Sequence, residues 1–416
     1  MLVSLRNRSK QQDLYFPLAA SVQAMACDVS SSESRTLHSV QALVLLCCWQ
    51  LPFGATRNDH SDTFAALACQ YGYRLGLHRP KHPGDFEYNA AWDEQTTILR
   101  RKTWAGCFIV CQGISATGIP VPIRFDHSLL EVLTSRPEWM PDAIFHQLHT
   151  ARKSYEICNT LGGHDATCNG LLPNASATLR VFDADLRAHE NSFSESWTKQ
   201  DLIHFSWPRL LLCVFGLFEQ DGQRVSQPQD LHHWLALGYA TATTVLRTAS
   251  SIGDEIPYIA SHLRKCLINA VFLLLKIMSS SWHPFVDEAT VWNCINQGWN
   301  MLKSCSLVDH DNMSRTCAVI EYLSNGPQTA EPTLANTTLS VRSRFGANLV
   351  LDAVFRARDR FSQSIRDQRP LDYTQAAVQE TFLNSVIHQI PEVLPNLDVG
   401  ASDVDWNAIF NDLCAT

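Results

Sequence analysis

The sequence predicts an all-α fold: a large multi-helix bundle, then a linker and a short acidic amphipathic C-terminal segment. Apolar residues recur at three- and four-residue steps along most of the chain, as one buried helix face requires. Alternating apolar and polar residues, which would indicate strands, are hard to find. Of the 416 residues, 45% are apolar and 18% are charged, so the chain can bury a sizeable core.

Three helices are expected near the front of the chain, over about 37–51, 61–75 and 94–116. The second has the clearest stop. Gly76 permits a left-handed turn and Pro80 lacks the N–H that a further helical turn would need.

Further helices are expected in the middle of the chain, around 143–161, 175–190, 208–218, 229–252, 257–280, 285–305 and 313–324. Composition changes after about residue 325, where Thr, Ser, Pro, Asn and Ala replace large apolar residues. We therefore divide the chain into a helical domain over 1–325 and a linker with a possible helix over 326–370. Residues 371–416 would hold a C-terminal helix, near 371–390, and an acidic segment.

The acidic segment has a helical pattern of its own. Residues 391–416 contain five acidic side chains and no Lys or Arg, and Trp406, Ile409, Phe410 and Leu413 would share one helix face. So short a helix is marginal alone but could fold into a partner's groove, with these four residues contacting a coactivator. A terminal helix docking on its own domain fits the same pattern equally well.

Charge and cysteine spacing exclude several classes of protein. The formal net charge is −8, whereas unaided binding to DNA phosphates normally needs a basic excess. The 14 cysteines contain no CxxC pair and lie largely in apolar stretches, which favours buried thiols in an intracellular protein over a disulfide framework or a metal site. The longest apolar runs fall short of a membrane span, so a soluble protein is expected.

Three passages in the front part resemble the middle homology region of fungal binuclear-zinc-cluster transcription factors. The first is the helical stretch 39–46, and the second is 66–79, which ends in Gly-Leu-His-Arg as that family's helix does. The third passage combines a Glu, an Arg-Arg pair and a Trp with a later Gly-x-Pro. The residues that carry the last two passages are Gly72, Gly76, Leu77, His78, Arg79, Glu94, Arg100, Arg101, Trp104, Gly118 and Pro120.

The resemblance implies a nuclear transcription regulator, whose partners would be the transcription machinery or coactivators, with a related regulator as a possible homo- or heterodimer partner. The family's DNA-binding module needs six closely spaced cysteines to hold two zinc ions, and this sequence has no such cluster. We therefore expect no cofactor in this chain, and DNA contact only indirectly or through a missing N-terminal module. The module would be lost, or absent from an incomplete gene model.

The matched residues themselves are expected to be architectural. Gly72 and Gly76 would allow close helix approach, His78 could bond the carbonyls at a helix end, and Arg100 and Arg101 could pair with acids elsewhere in the bundle.

Two other functions remain open at this stage. A helical scaffold or adaptor without a transcriptional role would show the same pattern. An all-α terpene-synthase-like enzyme would need clustered acids for magnesium, for which Asp183 with Asp185 and Asp309 with Asp311 are the nearest candidates. His146 with His149, and His262 with Cys266, could each supply two metal ligands, but a zinc site needs more. We predict no catalytic and no metal-binding residues.

Overall fold

A computed structural model confirms the all-α fold. The structure describes residues 12–28, 35–51, 59–87, 91–115, 123–165, 167–217, 219–220, 223–224, 228–280, 282–308, 311–325, 339 and 348–367. Within these ranges the chain forms thirteen α-helices and one short antiparallel hairpin. None of the described helices is both long and apolar enough to cross a bilayer.

The helices follow one another as α1 (Gln12–Asp28), α2 (Leu37–Cys48), α3 (Ser61–Arg74), α4 (Glu94–Ser115), α5 (His127–Ser135), α6 (Asp142–Gly162), α7 (Ser176–Phe193), α8 (Lys199–Gly216), α9 (Pro228–Ser250), α10 (Ser261–Met278), α11 (Glu288–Ser304), α12 (Asn312–Asn325) and α13 (Asn348–Asp367). The hairpin joins β1 (Glu219–Gln220) to β2 (Gln223–Arg224) between α8 and α9. All ten helices expected before residue 325 are present.

Two hydrophobic cores organise the bundle. The front core draws its buried residues from α1 to α6, and the rear core from α6 to α13. Helix α6 belongs to both, with Leu148 and Ala151 in the front core and Ile157 and Leu161 in the rear core. Helix α10 is the centre of the rear core, because every residue from Cys266 to Met278 on it is buried.

One helix boundary differs clearly from the expectation. Helix α8 begins at Lys199 rather than near 208, because Thr198 and Asp201 form a capping box there. Pro208 lies inside the helix.

The sequence did not predict helices α1 and α5, and it did not clearly predict α13. Of these, α13 lies in the region 326–370, for which only a possible helix was expected. Leu349, Ala353, Val354 and Ala357 on α13 are buried in the rear core, so this helix packs on the domain rather than spanning a gap. The helix expected near 371–390 and the acidic segment lie outside the described residues.

Candidate functional site

The turn that follows α3 carries the Gly-Leu-His-Arg motif. Gly76 has φ +70, and its N–H donates to the carbonyl of Tyr73 at 3.1 Å. The N–H of Leu77 donates back to the carbonyl of Gly72 at 2.9 Å. These two bonds form a Schellman motif, which satisfies helix-end carbonyls and needs a residue that tolerates a positive φ. Gly76 therefore lies just beyond the helix and ends it, while only Gly72 allows close helix packing from within it.

Replacing Gly76 by alanine is expected to lower the free energy of unfolding by at least about 1–2 kcal/mol. A Cβ there would adopt an unfavourable φ and would lie 2.4 Å from Cδ2 of Phe86. Gly84 is the matched control, because a Cβ on it meets nothing within 4 Å. Urea denaturation of both variants checks this, and equal midpoints for Gly76→Ala and Gly84→Ala would contradict the account.

Trp104 is the centre of the front core. Its side chain is fully buried, and a Cβ on Gly72 would lie 2.7 Å from its Cζ3 atom, so only glycine permits this contact between α3 and α4. The indole Nε1–H donates to Asp126 Oδ2 at 2.8 Å. Asp126 also accepts from the N–H of Leu129 at 3.0 Å and so caps α5. Trp104 therefore ties α3, α4 and the start of α5 together.

His78 packs as an aromatic group just beyond the end of α3. Its ring lies 4.9 Å from the Tyr73 ring and 5.5 Å from the Phe86 ring, both in edge-on arrangements. The Nδ1 atom is buried without a hydrogen-bond partner. Burial lowers the pKa of His78, which favours the neutral ring. The expected interaction with the helix end is therefore wrong as far as Nδ1 is concerned.

The two arginines of α4 have different partners. Arg101 forms an ion pair with Glu131 at 3.5 Å, as the sequence led us to expect. Arg100 instead donates from Nη2 to the carbonyl of Leu75, and its guanidinium lies 3.5 Å from the centroid of the Trp92 ring. Thus Arg100 bonds a carbonyl at the end of α3.

The remaining motif residues are peripheral or undescribed. Arg79 and Glu94 are exposed, and Glu94 sits in the first turn of α4, where a negative charge favours the helix dipole. Gly118 and Pro120 lie outside the described residues.

Side chains at the boundary between the two cores hold them together. Trp49 Nε1–H donates to the carbonyl of Tyr258 at 3.0 Å, and Ser261 Oγ–H donates to the carbonyl of Cys47 at 2.8 Å. Lys265 Nζ donates to the carbonyl of Gly113 at 3.2 Å. We call this boundary, defined by these three bonds, the seam.

A cleft of about 460 Å³ opens beside the seam. Its lining comes from the end of α2, from α6, α8 and α10, and from the 3₁₀-helix Gly253–Tyr258. No sequence signal could have found it, because its walls come together only through tertiary packing.

The side chains considered for metal or enzyme chemistry are otherwise engaged. Asp183 is buried and contacts Arg187 and His233, and Asp185 bonds Lys153 Nζ at 2.6 Å. Asp311 Oδ2 accepts from the N–H of Leu307 at 2.7 Å, while Asp309 lies outside the described residues.

One member of each candidate pair of metal ligands contacts another group. Cys266 Sγ–H donates to the carbonyl of Ile203 at 3.1 Å, and the ring of His149 lies 4.9 Å from that of His189. In the part of the chain that the structure describes, no three His, Cys, Asp or Glu side chains come together as metal ligands would.

The neighbouring rings of His149 and His189 make the stability of the fold depend on pH. Burial, then the neighbouring His189, lowers the pKa of His149 to about 3, and burial lowers that of His189 to about 4. The unfolded chain binds these protons near pH 6.5, whereas the folded chain binds them only at a much lower pH. The free energy of unfolding is therefore expected to fall as the pH drops below about 6.5.

His149→Phe should flatten this dependence between pH 6 and 4.5, by up to about 1.4 kcal/mol per pH unit, since it removes one such proton. The exposed His127 supplies a control variant, His127→Phe, which should keep the slope. Urea denaturation across this pH range tests the prediction, and identical slopes for the His149 variant and the unaltered chain would refute it.

Comparison with known proteins bears on the front core. Residues 4–141 match the family model described as fungal specific transcription factor domain. The match covers about the front third of this chain. The matched residues span most of the front core, including the Gly76 turn and Trp104.

Curated relatives extend the similarity beyond that domain. The transcriptional regulatory protein SEF1 of Candida albicans is 25% identical over 383 residues, covering 85% of this chain and 40% of the relative. A Kluyveromyces lactis protein, also named as a transcription factor SEF1, is 21% identical over 320 residues, covering 74% of this chain and 28% of the relative. The chain thus spans well under half the length of these relatives. No solved structure matches the chain.

Proposed function

We propose that this chain acts in the nucleus as a transcription regulator of the fungal zinc-cluster type. The observation that carries the proposal is the family match, because it covers the very helices that pack around Trp104. The relatives' names, which describe transcription factors, support the same function. The match to such a family also argues against an enzymatic function.

The partners we propose follow from the charge and cysteine pattern. With a net charge of −8 and no six-cysteine cluster in the sequence, this chain would reach DNA through a separate module or a related regulator. Zinc would enter only with such a module. The acidic segment would contact coactivators or the transcription machinery through Trp406, Ile409, Phe410 and Leu413.

Fusing the whole chain to a heterologous DNA-binding domain tests the proposal. We expect it to change the expression of a reporter gene that carries the matching sites. The double variant Trp406→Ala, Phe410→Ala should reduce an activating effect at least about five-fold, because it removes two of the four apolar anchors.

Asn407→Ala is the matched control, since Asn407 would lie off the apolar face of the tail helix. It should leave the reporter unchanged. A fusion that is expressed and nuclear but leaves the reporter silent would contradict the proposed function. Equal activity of all three fusions would instead remove only the role of the tail.

A further inference from the structure

A hydrogen bond between two lining residues holds one wall of the cleft beside the seam in place. Trp49 is held by its hydrogen bond to the carbonyl of Tyr258, and both residues line the cleft. Ile259 and Leu263 add apolar surface, while Gln147 and Gln200 add amide groups. A volume of about 460 Å³ lies within the range of small-molecule sites, which combine apolar and aromatic walls with a few polar groups.

The charge of the lining selects the ligand. Burial lowers the pKa of His262 to about 4, with Lys265 and Arg264 adding to the effect, and burial raises the pKa of the Cys48 thiol to about 12. Both side chains are therefore neutral at neutral pH. Among the described residues that line the cleft, Glu255 is then the one that carries a formal charge, and it is negative.

The cations nearby do not line the cleft. Lys265 donates to the carbonyl of Gly113 at 3.2 Å, and Arg264 donates to the carbonyl of Ile259 at 3.3 Å. An anionic ligand would therefore meet a carboxylate and no counter-charge, whereas a cationic one would meet a carboxylate beside aromatic rings.

We propose that the cleft binds a small organic amine with a flat apolar body. The ammonium group pairs with Glu255, and the body lies among Trp49, Tyr258 and Leu263. Ammonium groups are attracted both to carboxylates and to the faces of Trp and Tyr rings. His262, whose Nε2 atom is buried and has no hydrogen-bond partner, also lines the cleft.

The chain's own acidic segment is the competing occupant. Residues 391–416 carry five acidic side chains and no basic one, so they would be repelled by Glu255. The lining thus favours an amine over the tail. The inference concerns binding by the isolated protein, so it can fail or succeed independently of the proposed transcriptional role.

Isothermal titration of the purified full chain with three probes of similar size tests the proposal. These are 2-phenylethylamine, which is cationic, 3-phenylpropionate, which is anionic, and 3-phenylpropionamide, which is neutral. At low ionic strength the amine should bind at least about five-fold more tightly than the acid, with the amide between them.

Two variants and one control variant locate the binding. Glu255→Gln should bring the affinities for amine and acid to within about two-fold of each other, while Glu321→Gln, an exposed glutamate on α12, should change neither. Gln200→Trp, which places a bulky ring at the exposed edge of the cleft, should abolish binding of all three probes. Equal binding of amine and acid, no effect of Glu255→Gln, or binding only of a 391–416 peptide that Gln200→Trp blocks would each overturn the proposal.

Discussion

Replacing Trp104 by alanine is expected to lower the free energy of unfolding by about 3–5 kcal/mol. The variant loses a fully buried indole and leaves a cavity against Gly72, which has no side chain to fill it. It also leaves the carboxylate of Asp126 without its indole donor. Urea denaturation followed by far-ultraviolet circular dichroism measures the effect.

Two further variants separate the contributions of packing and hydrogen bonding at this position. Trp104→Phe keeps much of the packing but loses the bond to Asp126, so it should cost about 1–3 kcal/mol. Leu99→Ala, on the same helix but 42% exposed, should cost less than about 1 kcal/mol. Should Trp104→Ala prove no more costly than Leu99→Ala, Trp104 would not be the centre of the front core.

Replacing Asp352 by asparagine is expected to cost about 3–5 kcal/mol. Asp352 on α13 accepts a hydrogen bond from Lys276 Nζ at 3.1 Å and forms an ion pair with Arg356 Nε at 2.9 Å. The Lys276 and Asp352 side chains are only 4% and 5% exposed. The pKa of the Lys276 ammonium is lowered, chiefly by burial, and the neighbouring carboxylate of Asp352 opposes this shift. Losing the carboxylate therefore leaves a buried cation uncompensated. The free energy of unfolding of the purified chain reports the loss.

Asp359→Asn is the matched control, because Asp359 is exposed on the same helix, and it should change stability by less than about 0.5 kcal/mol. The double variant Lys276→Met, Asp352→Leu should recover part of the loss, since no ammonium is then left buried. A negligible cost of Asp352→Asn would mean that α13 does not pack on α10 as described.

The sequence predicts those parts of the fold that local patterns determine. Helix α3 and its stop were predictable because Gly76 and Pro80 encode the stop in neighbouring residues. Helix α13 was harder to predict, since it follows a Thr- and Ser-rich stretch and its ion pair joins it to Lys276, 76 residues away in the sequence. The start of α8 was misplaced because the capping box that Thr198 and Asp201 form was not recognised in the sequence.

The residues of the candidate site were partly predictable in the same sense. The roles of Gly72 and Trp104 in close packing follow from residue types that recur in a known motif. The bond from Arg100 to a helix-end carbonyl depends on how α4 packs against α3, which no local pattern encodes. The cleft beside the seam depends on five separate elements and left no trace in the sequence.

Chromatin occupancy, measured together with transcript levels, tests the proposed transcriptional role most directly. The tagged chain would be cross-linked at its native level in its host, and transcripts would be compared with and without the gene. We expect enrichment at a defined set of promoters whose transcripts change when the gene is removed and recover when it is restored. A tagged chain that is excluded from the nucleus, with no promoter enriched and no transcript altered, would contradict the proposed function.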